Sequence, residues 1–259
     1  SVLPHHSYFA VHKKTVEANP NWAADTKTII GNGPFKIAAW THNSTIELVQ
    51  NEQYWDKGKV KLDKISMILS DNLSTVLSMF ENNQVDLTND PPPVAEIPRL
   101  QKEGKLKVYP YLGTYYYEFN TKKAPFDNPK VRKAFALAID REALVTNVTK
   151  AGQKPATGWV PAGLSDAKGG EDYRKVGGDL IKDKDYETAK KLLAEAGYPE
   201  GKGLPPITLL YNTQEMHKSI AEAIQEMWKK NLGVEVGITN QEWKVYLQSR
   251  TAGDYQVAR

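Results

Sequence analysis

The 259 residues contain no cysteine, which removes disulfides, thiolate metal centres and a cysteine nucleophile from consideration while leaving the compartment open. Long apolar runs are also missing: no stretch approaches the roughly 20 apolar residues of a membrane-spanning helix. Blocks of like charge are absent too. The 34 basic and 31 acidic residues are spread along the chain and leave a formal charge of +3, so the lysines and arginines describe a solvated surface and give no nucleic-acid footprint. There is no GxSxG elbow, no HExxH pair and no GxxxxGK[ST] phosphate loop. The glycine-rich string Gly31-Asn32-Gly33-Pro34 reads as a turn, because Pro34 removes an N–H that a phosphate cradle needs and no helix follows. His5 and His6 are adjacent, so their side chains diverge, and no carboxylate or third histidine stands at ligand spacing. His12 and His42 read as surface residues. No constellation for an enzyme emerges, and neither a cofactor nor a metal is implied.

What is present is enough apolar content, 40%, for one large or two ordinary domains with real cores. The most informative stretch is residues 111–141, YLGTYYYEFNTKKAPFDNPKVRKAFALAIDR. Tyr115, Tyr116, Tyr117 and Phe119 favour an extended strand, whose side chains point alternately to opposite faces. After a loop, Asp127 and Asn128 are placed to cap a helix whose first residue is Pro129, where the missing N–H costs nothing. Val131, Ala134, Phe135, Ala138 and Ile139 then recur at helical spacing as a buried stripe, with Lys130, Arg132, Lys133 and Arg141 outside it. Taken locally, this is a strand and a helix packed together, with the aromatics as core.

Elsewhere the patterning alternates between strand and helix. Residues 33–40 and 45–50 form a hairpin about the polar turn 41–44, followed by a strand near 62–69 and a helix near 74–81. Residues 89–93 are loop, leading to a short helix at 95–102 and a strand at 106–110. Residues 142–150 extend or follow the first helix, and 152–171 form a Gly/Pro-rich connection. Asp185 opens a helix that closes at Gly197. A strand at 207–211 precedes a long helix capped by Thr213 and reaching Lys230, with Ile220, Ala223, Ile224 and Met227 on its buried face and Gly233 at its end. Val234, Val236 and Ile238 alternate as a strand, and another helix runs through Arg250. This order argues for an α/β lobe. A start at Ser1 without initiator methionine or signal peptide, and an end within the strand-like segment 254–259, read as an internal fragment of a longer protein.

Seven strings occur in order: GNGPFK at 31–36, NEQYWD at 51–56, GTYYYEFN at 113–120, PFDNPKVRKAFALAIDR at 125–141, AKKLLAEAGYP at 189–199, LLYNTQEMHK at 209–218 and NQEWKVYLQSR at 240–250. The series resembles the oligopeptide-binding proteins of ABC importers, family 5 of the bacterial extracellular solute-binding proteins, over essentially the whole chain. The resemblance implies an α/β, type II periplasmic-binding-protein-like fold, the two-lobed Venus flytrap, here incomplete. Residues 1–112 would be the later part of the first lobe and 113–259 most of the second, with residues 111–120 as the crossover near the cleft. It further implies an oligopeptide ligand, ABC permease subunits as partners, a monomer, no nucleic acid, no catalytic step, and a place in the periplasm or anchored by lipid outside the cell membrane. Relatives of the same fold bind dipeptides, nickel complexes or haem, and a signalling receptor on this scaffold is a further alternative.

By position in the matched strings, Tyr111, Tyr116 and Glu118 would approach the peptide and Trp243 would wall a side-chain pocket. Asn212 and His217 would line pockets or meet the end of longer peptides, and Arg250 and Arg259 would supply positive charge. Asp90 falls where a relative carries an amide near the site. The plainer alternatives are a core role for Trp243, a polar helix position for His217 and an exposed helix end for Arg250. Gly113 stands where some relatives carry a disulfide cysteine, and Thr149, next to Lys150, replaces a lysine that meets short peptides. The acidic residue that holds the peptide's amino terminus in the family would follow Arg259.

Overall fold

The computed structural model describes residues 9–167 and 169–259; His5 and His6 lie outside the described residues. The chain divides into two compact units, one ending at Asp90 and the other spanning Pro91–Arg259.

In the first unit a short helix α1 (Lys13–Ala18) precedes a three-stranded antiparallel sheet in the order β1-β2-β3, with β1 at Phe35–Thr41, β2 at Thr45–Gln50 and β3 at Lys64–Ile68. The hairpin forms where the alternating runs predict it, and Asn43 takes the left-handed turn position (φ 59°) that asparagine tolerates. Helix α2 (Leu73–Glu81) starts at Asn72, whose side chain accepts from Thr75 N. Leu73 is the one buried hydrophobic among the described residues of this unit.

The second unit holds the core. Helix α3 (Ile97–Lys102) buries Ile97 and Leu100. The strand expected at 106–110 does not form, and only Glu118–Phe119 of the aromatic run enters a ladder, as β4. Strand preference expresses side-chain packing on a pleated surface, and residues 106–117 gain no backbone partner strand among the described residues. Alternation holds only in the last part of the run: Tyr117 and Phe119 pack on the core, while Tyr116 and also Tyr115 stay exposed, at 36% and 42%.

Helix α4 (Pro129–Leu137) begins as its sequence predicts, with Asn128 accepting from Lys130 N and with Val131, Ala134 and Phe135 fully buried. A single turn α5 (Arg141–Ala143) continues into a wider π-type turn at 144–149. Helices α6 (Tyr173–Gly177) and α7 (Tyr186–Glu195) follow. Strand β5 (Ile207–Asn212), helix α8 (Glu215–Leu232), strand β6 (Val236–Gln241), helix α9 (Trp243–Ala252) and strand β7 (Val257–Ala258) complete the unit. The sheet order is β4-β7-β5-β6, with β5 parallel to both β6 and β7 and β4 antiparallel to β7.

Successive residues of β5 serve opposite faces. Ile207, Leu209 and Tyr211 join the large cluster formed with α4, α7 and α8, while Leu210 packs with Tyr246 of α9 and Ala258. Two details of α8 differ from the pattern-based expectation. Its cap position is Gln214, whose side chain makes no capping hydrogen bond, while the Thr213 hydroxyl accepts from Asn240 Nδ2 at 2.7 Å. Its buried stripe runs through His217, Ile220, Ala221, Ile224, Trp228 and Leu232, leaving Ala223 and Met227 half-buried. Trp228 sets this rotation: its ring lies 4.9 Å from that of Phe135 and its indole N–H donates to Phe135 O at 2.9 Å.

Candidate functional site

Because β7, β5 and β6 are parallel, their carboxyl ends open on one edge of the sheet. Antiparallel pairing of β4 with β7 brings the amino end of β4, and the tyrosines before it, to the same edge. Helices α8 and α9 also start there. This is where open α/β sheets hold ligands, since loops and helix N-termini converge beyond the strands.

Two arginines dominate the edge, and their settings differ. Arg250, in the last turn of α9, donates from Nε to Glu118 Oε1 at 2.6 Å and from Nη2 to Glu118 Oε2 at 3.3 Å. The same Nη2 donates to Tyr116 Oη at 3.0 Å. The bond to Glu118 raises the guanidinium's already high pKa, so this cation is permanently charged and already paired. Arg259 follows β7, where its N–H donates to Leu210 O at 3.0 Å. Its guanidinium has neutral partners: Nη1 donates to Asn212 Oδ1 at 2.8 Å, and the group lies 5.1 Å from the Tyr115 ring centroid.

Beneath Arg259 lies a polar aromatic floor. Tyr115 Oη is 3.1 Å from Nδ1 of His217, which is 5% exposed. Burial first, and then the charge of Arg259, lowers the His217 pKa to about 4, so its imidazole is neutral at pH 7. The Tyr117 and Tyr246 hydroxyls are enclosed, and burial raises the pKa of both. Trp243, 49% exposed, stacks on Tyr246 with ring centroids 5.7 Å apart.

The depressed His217 pKa has a measurable consequence. Between pH 6.5 and 4 the unfolded chain binds the proton that folded His217 refuses, so stability is lost as pH falls through that window. We expect His217→Gln to remove this component. Urea unfolding at pH 7 and pH 4.5 should show the wild-type protein losing about 1–3 kcal/mol more than the variant; equal losses would refute the assignment.

Of the residues singled out from sequence, Tyr116, Glu118, Asn212, His217, Trp243, Arg250 and Arg259 come together on this edge. Tyr111 lies apart from these contacts, 82% exposed in the extended segment before them. Asp90 is an exposed loop residue at the end of the first unit. Tyr115 and Tyr246 also contact this edge and were not singled out. Tyr115 carried a signal in the aromatic run, whereas Tyr246 carried none beyond its residue type. Among the described residues no group of three or more His, Cys, Asp or Glu side chains is placed to hold a metal ion, and no helix is long and apolar enough to cross a membrane.

Comparison with known proteins bears on the fold and the family. The oligopeptide-binding protein OppA of Bacillus subtilis is 42% identical over 262 residues, covering 98% of this chain and 47% of that protein. The crystal structure of a periplasmic oligopeptide-binding protein of Borrelia burgdorferi superposes with a TM-score of 0.83 at 32% identity, covering 100% of this chain and 50% of that one. OppA of Haemophilus influenzae, solved in complex with the peptide RPPGFSPFR, gives a TM-score of 0.80 at 34% identity over 98% of this chain and 50% of that one. The chain thus spans about half the length of the relatives it matches, and its α/β architecture is part of a type II periplasmic-binding-protein fold. The model of the bacterial extracellular solute-binding proteins, family 5 Middle, matches residues 1–259, and the chain belongs to that family.

Proposed function

We propose that this chain is part of an extracytoplasmic solute-binding protein that captures oligopeptides between two lobes and delivers them to an ABC transporter, without a catalytic step. The observation that carries the proposal is the sheet edge on which Arg259, among the described residues, meets the neutral Asn212 and Tyr115 above an aromatic floor. A cation so placed suits a peptide carboxylate, for which guanidinium geometry allows paired, charge-assisted hydrogen bonds.

Aromatic rings and half-buried amides suit the rest of such a ligand. A receptor for many peptides recognises the shared backbone, which adds to protein backbone groups like a strand. Hydrated pockets then adapt to different side chains. In this proposal residues 1–112 belong to the later part of one lobe and 113–259 to most of the other, and Tyr111, Tyr116, Glu118, Asn212, His217, Trp243, Arg250 and Arg259 line one wall. Asp90 is also counted among the peptide-binding residues in this proposal. Ligand would favour a closed arrangement of the lobes, which the permease subunits then engage. The protein would act as a monomer in the periplasm or held by lipid at the outer face of the cell membrane.

Isothermal titration of the full-length protein containing this chain with unrelated tri- to pentapeptides tests the proposal. Heat of binding is expected with several of them. Silence with every peptide, together with a clear response to a sugar or a metal chelate, would overturn it.

A further inference from the structure

Trp159 is 62% exposed, yet the loop that carries it is fastened on all sides. Its own carbonyl accepts from Thr114 Oγ1 at 2.8 Å. Two residues earlier, Thr157 O accepts from Leu180 N at 2.8 Å and Ile181 N at 3.1 Å. At Gly158 the Arg174 guanidinium lies so near the backbone that a Cβ would sit 2.0 Å from Nη1. Arg174 is in turn held by Gly178 O at 2.6 Å and Asp179 Oδ1 at 3.3 Å. The indole is therefore a preorganised aromatic surface left open to solvent, and a rigid, exposed tryptophan is the kind of group that supplies binding energy at little entropic cost.

The surface is continuous with the site. The Trp159 and Tyr116 rings lie 4.7 Å apart at an angle of 55°, and Tyr116 is fixed through its hydroxyl by Arg250, itself locked on Glu118. Charge narrows the choice of occupant. Arg250 already stands 6.0 Å from the Tyr116 ring centroid, so a second cation would gain less there than a neutral ring.

Resting on the peptide-binding function above, we propose that Trp159 and Tyr116 form a subsite for an aromatic side chain of the bound peptide, with Trp159 as its specificity-determining residue. An aromatic ring stacked on the indole gains a contribution that alanine cannot make.

The test is titration of the full-length protein with tetra-alanine and its four single-phenylalanine variants, repeated with Trp159→Ala and Trp159→Phe. We expect at least one phenylalanine peptide to bind the wild-type protein more tightly than tetra-alanine. That advantage should fall about 3- to 10-fold in Trp159→Ala, with tetra-alanine changed by less than about twofold, and should largely persist in Trp159→Phe. Because Trp159 is exposed, both variants should unfold at the wild-type temperature. A wild-type protein without preference for any phenylalanine peptide, an advantage unchanged in Trp159→Ala, or an equal loss for all five peptides would overturn the subsite while leaving peptide binding intact. No binding of any of the five peptides by the wild-type protein would overturn both.

Discussion

Replacing Trp228 by alanine is expected to destabilise the second unit by about 3–5 kcal/mol, the range for large-to-small changes at fully packed aromatic positions. Trp228 is 2% exposed, and its ring is the last member of a chain of aromatic contacts. Phe119 stacks on Phe126 at 4.7 Å, Phe126 meets Phe135 edge-on at 5.1 Å, and Phe135 meets Trp228 at 4.9 Å. Truncation would open a cavity between α4 and α8 and leave Phe135 O without the indole N–H that donates to it. Denaturant unfolding should show the loss directly, and the melting temperature should fall by on the order of 10 °C. Trp228→Phe keeps a ring in place and should cost markedly less. A Trp228→Ala protein within about 1 kcal/mol of wild type would mean that the aromatic chain is not the keystone of this core.

Removing the guanidinium of Arg259 is expected to weaken peptide binding about 10- to 150-fold, the effect of losing a hydrogen bond to a charged group worth about 1.5–3 kcal/mol. The expectation follows from the contrast between the two arginines. Arg250 is already neutralised by Glu118, so Arg250→Ala should act chiefly by releasing Glu118 and Tyr116. Arg259 has Asn212 and the Tyr115 ring as partners and retains its charge for a ligand. Comparing a peptide acid with its carboxy-terminal amide separates the contributions. The amide should bind the wild-type protein more weakly than the acid, and Arg259→Ala should abolish most of that difference. An undiminished preference for the acid in Arg259→Ala would show that Arg259 does not meet the ligand's carboxylate.

Much of the local structure was legible from the chain. The hairpin of β1 and β2 follows from alternation about a polar turn, and α4 follows from Asn128, Pro129 and an apolar stripe that is buried as its spacing predicts. The β5-α8-β6 unit was legible for the same reason, since strand and helix periodicities are properties of neighbouring residues. Errors arose where distant groups competed with local preference. Residues 106–117 have the composition of a strand but gain no ladder before Glu118, and Thr213 stands one residue before the cap position of α8, its hydroxyl accepting from Asn240. The rotation of α8 was decided by the fit of Trp228 against Phe135.

The functional edge shows the same division more sharply. Sequence alone determined which residue types were available: tyrosines in an extended run, arginines near the end of the chain, and no thiol. Tertiary structure alone decided that Arg250 meets Glu118 across 132 residues, that Tyr115 meets His217 across 102, and that Arg259 meets Asn212 across 47. Those pairings set one arginine as a locked strut, the other as a cation with neutral partners, and the histidine as neutral. The physical reason is that periodicity and capping act over a few residues, whereas charge state depends on burial and on neighbours that only the parallel sheet brings to one edge.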